Sequence, residues 1–175
     1  MTHQHYCIFD DVSTKRVGCR IMATPQWLDE RQARAWQAYL RLNQELYASL
    51  EVQLQRDSGL SGADYTVLVP LSAASAGVLR TRELGTEIGW DRSRLSHQIS
   101  RMERRGLVAR EECSEDGRGS MVRLTDTGRS AIEGAAPAHA ETVRRHFFDR
   151  LSKEEIDTLT AVFERLLAGM ERSGA

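Results

Sequence analysis

The 175-residue chain predicts a mainly α fold with a small β-wing, flanked by long helices at both ends. Three observations carry that expectation. Apolar residues recur at three- and four-residue steps over 25–60 and again over 130–175. Between these segments, two short helical stripes are separated by Gly89 and closed by Gly106. The runs "LVAREEC" and "SMVRLT" then bracket the polar, Gly-studded turn "SEDGRG", the pattern of a hairpin. Composition agrees with one globular unit, since 41% hydrophobic and 28% charged residues with a net charge of -1 form an ordinary mixture.

The elements follow in order. Residues 1–24 show no sustained period and read as an N-terminal extension, with Met22 just before the first helical signal. From Pro25, a first-turn residue type, Trp36, Leu40, Asn43, Leu46 or Tyr47, Leu50 and Leu54 mark one long amphipathic helix over 25–60. Gly59 suits its C-terminus, and Ser61 with Asp64 forms a capping-box-like start for a second helix carrying Tyr65, Leu68 and Leu71. Pro70 conflicts with that helix and predicts a kink or a boundary. Val78 and Leu79 suit a brief strand, and Thr81 caps a short helix with Leu84 and Ile88 on one face. After Gly89, Asp91 or Ser93 starts a second helix, about 91–106, with Leu95, Ile99 and Met102 as its buried stripe. Two such helices joined by a tight Gly-containing turn form a helix-turn-helix within 61–129. The wing follows at about 107–125, with Leu107, Val108, Val122 and Leu124 as its apolar positions.

The chemistry concentrates on the second of these helices. Its polar face carries Arg92, Ser93, Arg94, Ser96, His97, Gln98, Ser100 and Arg101, with Arg104 and Arg105 at its end. Arg and Gln make bidentate contacts to guanine and adenine edges, and Ser reaches phosphates. Five arginines between Asp91 and Gly106 face only Asp91 and Glu103, a local charge of +3 in a chain of net charge -1. A basic helix surface is ordinarily a solvated face, but here the helix-turn-helix and the wing point to double-stranded DNA. At the wing tip, Arg118 stands between Gly117 and Gly119, free to enter a narrow minor groove, while Arg123 faces the backbone.

Other chemistries find little support. Asp91, Ser93, Ser96 and His97 lie too close on one helix to surround a substrate as a hydrolytic triad. No Gly-rich phosphate loop follows a strand, and no Cys or His pairs in the body of the chain have zinc-ligand spacing, so neither an enzyme nor a cofactor or metal is expected. His3, His5 and Cys7, with Cys19 further on, read as an inconsequential tail. No stretch approaches the roughly 18 consecutive apolar residues of a membrane helix, and the N-terminus lacks the layout of a secretory signal. The cytoplasm is the expected place, in keeping with three cysteines, an odd number far below the density of a disulfide scaffold.

In this order, "ELGTEIGWDRSRLSHQISRMERRGLVARE", "EDGRG" and "VRLTDTGR" resemble the multiple antibiotic resistance regulator (MarR) family of bacterial winged-helix repressors. The resemblance covers roughly 26–170 and is most specific over 95–128. It implies a winged helix-turn-helix DNA-binding domain between long N- and C-terminal dimerisation helices. It further implies an obligate homodimer on a pseudo-palindromic operator, repression of nearby genes, and release by a small anionic or phenolic effector.

The residues support the dimer separately. Ile132, Val143, Phe147, Phe148 and Leu151 precede a Ser152–Glu155 capping box, after which Ile156, Leu159, Val162, Phe163, Leu166, Leu167 and Met170 form another stripe. That is more apolar surface than a winged-helix core covers, and a second chain would place two recognition helices ~34 Å apart. For the effector, Trp27, Trp36, Tyr39 and Tyr65 are candidates to line a cleft with His97, an Arg such as Arg94 pairing with a carboxylate. The alternative is that these aromatics are core and dimer packing. Two other functions stay open: a cysteine-based redox sensor, and a winged-helix module for protein contact without an operator. Cys113 has Glu111, Glu112, Glu115 and Asp116 nearby, which disfavour its thiolate, whereas Cys19 lies between Arg16 and Arg20.

Overall fold

The computed structural model describes residues 27–112 and 120–173. The expected extension 1–24, Pro25, all three cysteines and the wing-tip Arg118 lie outside them. The chain divides into two compact units, Met1–Gln37 and Ala38–Ala175.

In the first unit, helix α1 (Glu30–Ser58) begins. Its start is a reciprocal cap rather than Pro25: Asp29 Oδ1 accepts from the Gln32 amide at 2.8 Å, and Gln32 Oε1 accepts from the Asp29 amide at 3.0 Å. Two first-turn donors that have no helical partner are thereby satisfied.

The second unit holds the rest. The inner face of α1 buries Leu50, Gln53 and Leu54, and the helix ends at Gly59, whose φ of +63° suits glycine. Helix α2 (Gly62–Ala73) starts with the expected capping box, Ser61 and Asp64 each accepting from the other's backbone amide. Pro70 occupies its last turn. The helix runs past it and stops at Ala73, the Ala74 amide bonding to the Pro70 carbonyl at 3.0 Å.

Strand β1 (Val78–Arg80) leads into α3 (Thr81–Ile88). Thr81 is the first helical residue and not the cap, because its hydroxyl donates to the Ser120 carbonyl at 2.8 Å and ties the helix to a distant strand. Gly89, left-handed at φ 67°, closes α3, and Asp91 caps α4 (Arg92–Arg104) by accepting from the Arg94 amide at 2.9 Å. Strands β2 (Val108–Glu112) and β3 (Ser120–Leu124) complete an antiparallel sheet in the order β1-β3-β2, with Val78 opposite Arg123 and Val108 opposite Leu124.

Helix α5 (Asp126–Val143) is capped by the Thr125 hydroxyl, which accepts from the Gly128 amide at 3.0 Å. Gly128 is pressed so closely against the wing that a Cβ there would lie 2.0 Å from the Leu107 carbonyl oxygen. A π-helical turn, Arg144–Phe148, extends α5, and α6 (Lys153–Ser173) begins with the expected Ser152–Glu155 box. One apolar cluster joins Leu54 and Leu60 to Val67, Leu68 and Leu71 of α2, Leu84 of α3, Leu95, Ile99 and Met102 of α4, Val108 and Val122 of the sheet, and Ile132 of α5. Phe163, Leu166, Leu167 and Met170 of α6 stay exposed. No helix among the described residues is long and apolar enough to cross a membrane.

Candidate nucleic-acid interface

Helix α4 is amphipathic in the strict sense that Leu95, Gln98, Ile99 and Met102 are its buried residues. That phase turns Arg92, Ser93, Arg94, Ser96, His97, Arg101 and Arg104 to solvent. The Arg94 guanidinium lies over the Trp90 indole, 4.0 Å from the ring centroid, an attraction that orients the charge without neutralising it. Trp90, Arg94, His97, Arg101 and Arg104, with Ala63 of α2 opposite, line a cleft of about 520 Å³. Its wall on the α4 side is cationic, as an acidic backbone or a guanine edge requires.

Gln98 departs from expectation. It is only 3% exposed, and its amide nitrogen donates to Asp64 Oδ1 at 2.7 Å. The cause lies in helical phase: Gln98 stands three residues after Leu95 and one before Ile99, inside the buried stripe and not on the polar face. Asp64, 2% exposed, occupies the matching place in the α2 stripe with Val67, Leu68 and Leu71. The carboxylate also accepts from Arg105 Nη1 at 2.6 Å and from the Ser61 hydroxyl at 2.9 Å, so its buried charge is paired. Arg105 Nη2 goes on to the Gly59 carbonyl at 2.8 Å, clamping the end of α4 to the end of α1. Sequence reasoning left out Asp64 as a functional residue and placed Arg105 on the polar face. The signal available was a polar residue at the i, i+3, i+4, i+7 spacing of each stripe.

Arg110 was also missed. From β2 it donates to the Ser96 carbonyl at 3.0 Å and the Ser100 hydroxyl at 2.9 Å, which fastens the wing to α4. Arg123, the expected backbone contact, is exposed on β3 and forked onto Glu111, with Nη2 2.8 Å from Oε2. That pairing holds the Glu111 carboxyl below its ordinary value.

The expected effector aromatics have varied surroundings. In the first unit, Trp27 is 83% and Trp36 51% exposed. In the second, Tyr39 is exposed, while Tyr65 is half-buried with its ring 4.2 Å from that of His139 on α5. Burial pushes the Tyr65 phenol up and the His139 imidazole down from their ordinary values. None of the four lines the cavity of about 380 Å³ between α1 and the end of α5, where Glu45, Gln53, Arg56, Thr142, Arg145 and His146 meet. There Gln53 donates to Asp57 at 3.1 Å, while its buried Oε1 has no hydrogen-bond partner among the described residues.

Comparison with known proteins decides the family. A MarR family model matches residues 58–119, from the end of α1 to the residue before β3. The chain is 36% identical to Sco3205, a MarR family transcriptional regulator from Streptomyces coelicolor solved in complex with DNA, over 84% of this chain and 92% of that one, with a TM-score of 0.79. The chain belongs to the MarR family of transcriptional regulators. This MarR family chain is likewise 38% identical to AbsC of S. coelicolor, over 83% of its own length and 98% of AbsC, with a TM-score of 0.79. It is 26% identical over 140 residues to the HTH-type transcriptional regulator YkoM of Bacillus subtilis, covering 78% of this chain and 88% of YkoM. The winged-helix fold and DNA binding expected from the sequence are those of the MarR family.

Proposed function

We propose that the protein is a homodimeric repressor that binds a pseudo-palindromic operator through α4 and is released by a small phenolic or anionic effector. The observation that carries this reading is the α4 surface, where Arg92, Ser93, Arg94, Ser96, His97 and Arg101 are all exposed on a helix anchored from beneath. These residues contact bases and phosphates in the major groove, Arg118 enters the minor groove and Arg123 meets the backbone. The exposed apolar side chains of α6 support a symmetric second copy that covers them. The cavity between α1 and α5 supports an effector with a hydroxyl donor for Gln53 Oε1 and an acidic group for Arg145 and His146. It carries that part of the reading better than Trp27, Trp36, Tyr39 and Tyr65, none of which lines it.

The experiment is titration of the wild type and Arg94→Ala against duplex DNA from upstream of the protein's own gene, beside a scrambled duplex, at two salt concentrations. The wild type should prefer the first duplex at one dimer per site. Arg94→Ala should lose on the order of 1–3 kcal/mol and discriminate less at particular base pairs. Weak binding, equal for both duplexes, would overturn the operator reading.

A further inference from the structure

Gln98 combines features that belong to neither a core residue nor a base reader. It is buried, yet both ends of its amide are used: the nitrogen donates to Asp64 Oδ1 at 2.7 Å, and the oxygen accepts from Arg101 Nη2. An ionised carboxylate only accepts hydrogen bonds, so Asp64 fixes which end of the amide points inward. The carbonyl end must then face outward, toward the exposed side of α4 where Arg101 lines the cationic cleft. A guanidinium has five N–H donors in a rigid fork, so one bond to Gln98 fixes its plane and leaves donors for an acceptor in the cleft.

We propose that Gln98 is a positioning residue that, gripped by buried Asp64, aims the Arg101 guanidinium into the cleft to meet a DNA phosphate. The inference rests on the DNA-binding reading above. It assigns α4 one fewer base contact and one pre-oriented phosphate contact. Asp64 Oδ2 keeps Arg105 and the Ser61 hydroxyl and amide when Gln98 is replaced, so the carboxylate stays paired although Oδ1 loses the Gln98 donor, and Gln98→Met, of similar length, is expected to retain the fold, which its thermal unfolding checks.

The test is a double-mutant cycle on the full chain with Gln98→Met, Arg101→Ala and the pair, read as DNA affinity against salt concentration. Gln98→Met with Arg94→Ala serves as a control. Arg101→Ala should weaken all duplexes alike and reduce the salt slope by about 1. Gln98→Met should bring part of the same uniform loss, and adding it to Arg101→Ala should change nothing further. With Arg94→Ala its effect should multiply. Gln98→Met binding like the wild type, or losses that multiply with Arg101→Ala, would overturn the relay. A phosphate contact is independent of sequence, so the cycle can be read on the scrambled duplex too; failure of the operator reading shows instead as a wild type that does not discriminate. In the DNA-free protein, the Arg101 side-chain NMR signals should show restricted rotation that Gln98→Met releases. Equal Arg101 mobility in both proteins refutes the proposal without reference to DNA.

Discussion

His139 packs on Tyr65 with its Nδ1 buried and without a hydrogen-bond partner among the described residues, so the environment of α2 against α5 favours the neutral ring. Its value is pushed below the ordinary 6.5 by burial. The unfolded chain therefore takes up a proton as pH falls through about 6.5, while the folded chain resists until its own lower value is reached. Stability contributed by the neutral ring is fully present above that window and lost as pH falls through it. Urea midpoints measured between pH 8 and pH 5 should decline, and His139→Gln should flatten the decline. An unchanged slope in the variant would assign it to other groups. Residue types were a poorer guide than positions in this chain. Glutamine's fit to adenine points Gln98 to the DNA face, whereas its position between Leu95 and Ile99 puts it inside. Asp64 announced its capping role in the sequence, but not the Gln98 and Arg105 bonds, whose partners lie far along the chain.

Among the elements, most caps are legible from local signals, although the equally local Asp29–Gln32 box and Thr125 cap are not read from the sequence. Gly59, the Ser61–Asp64 box, Gly89, Asp91, Gly106 and the Ser152–Glu155 box stand where side-chain chemistry and left-handed backbone require them. Thr81 was misplaced because a threonine suits a cap and a first turn alike, and only its bond to Ser120, a partner outside the local chain, decides between them. The tightest junction is the start of α5. Gly128→Ala puts a methyl group 2.0 Å from the Leu107 carbonyl oxygen, a backbone atom of the wing that cannot rotate away, and 2.8 Å from Leu124 Cδ1. The expected cost is at or above the ~3 kcal/mol upper range of ordinary overpacking. Thermal unfolding should register it against Gly134→Ala as a reference, a site on the same helix with no neighbour among the described residues within 4 Å of the added atom. A small, equal change in both variants would show that the wing and α5 separate easily.

For the whole molecule, the apolar side chains that one chain leaves uncovered matter most. Leu167 is 60% and Met170 69% exposed on α6, next to Phe163 and Leu166. An exposed apolar face of this kind supports the proposed second copy, and substituting charge into it should reverse that association. Leu167→Glu combined with Met170→Glu should sediment as a monomer and lose operator affinity with every α4 arginine in place. A variant that remains dimeric would put the interface elsewhere. The stripe was visible in the sequence, but its exposure was not, since only a completed core reveals what has been left out of it. The strand order has a further consequence, for the time course of folding. β3 pairs with β2, its neighbour in sequence, whereas its pairing with β1 closes a longer stretch of chain containing both α3 and α4. The entropy of closing a loop rises with its length, so the hairpin forms cheaply, and β1 docks at lower cost once the two helices have condensed between the strands. The helix with the proposed DNA contacts thus lies within the segment whose ends are expected to join last.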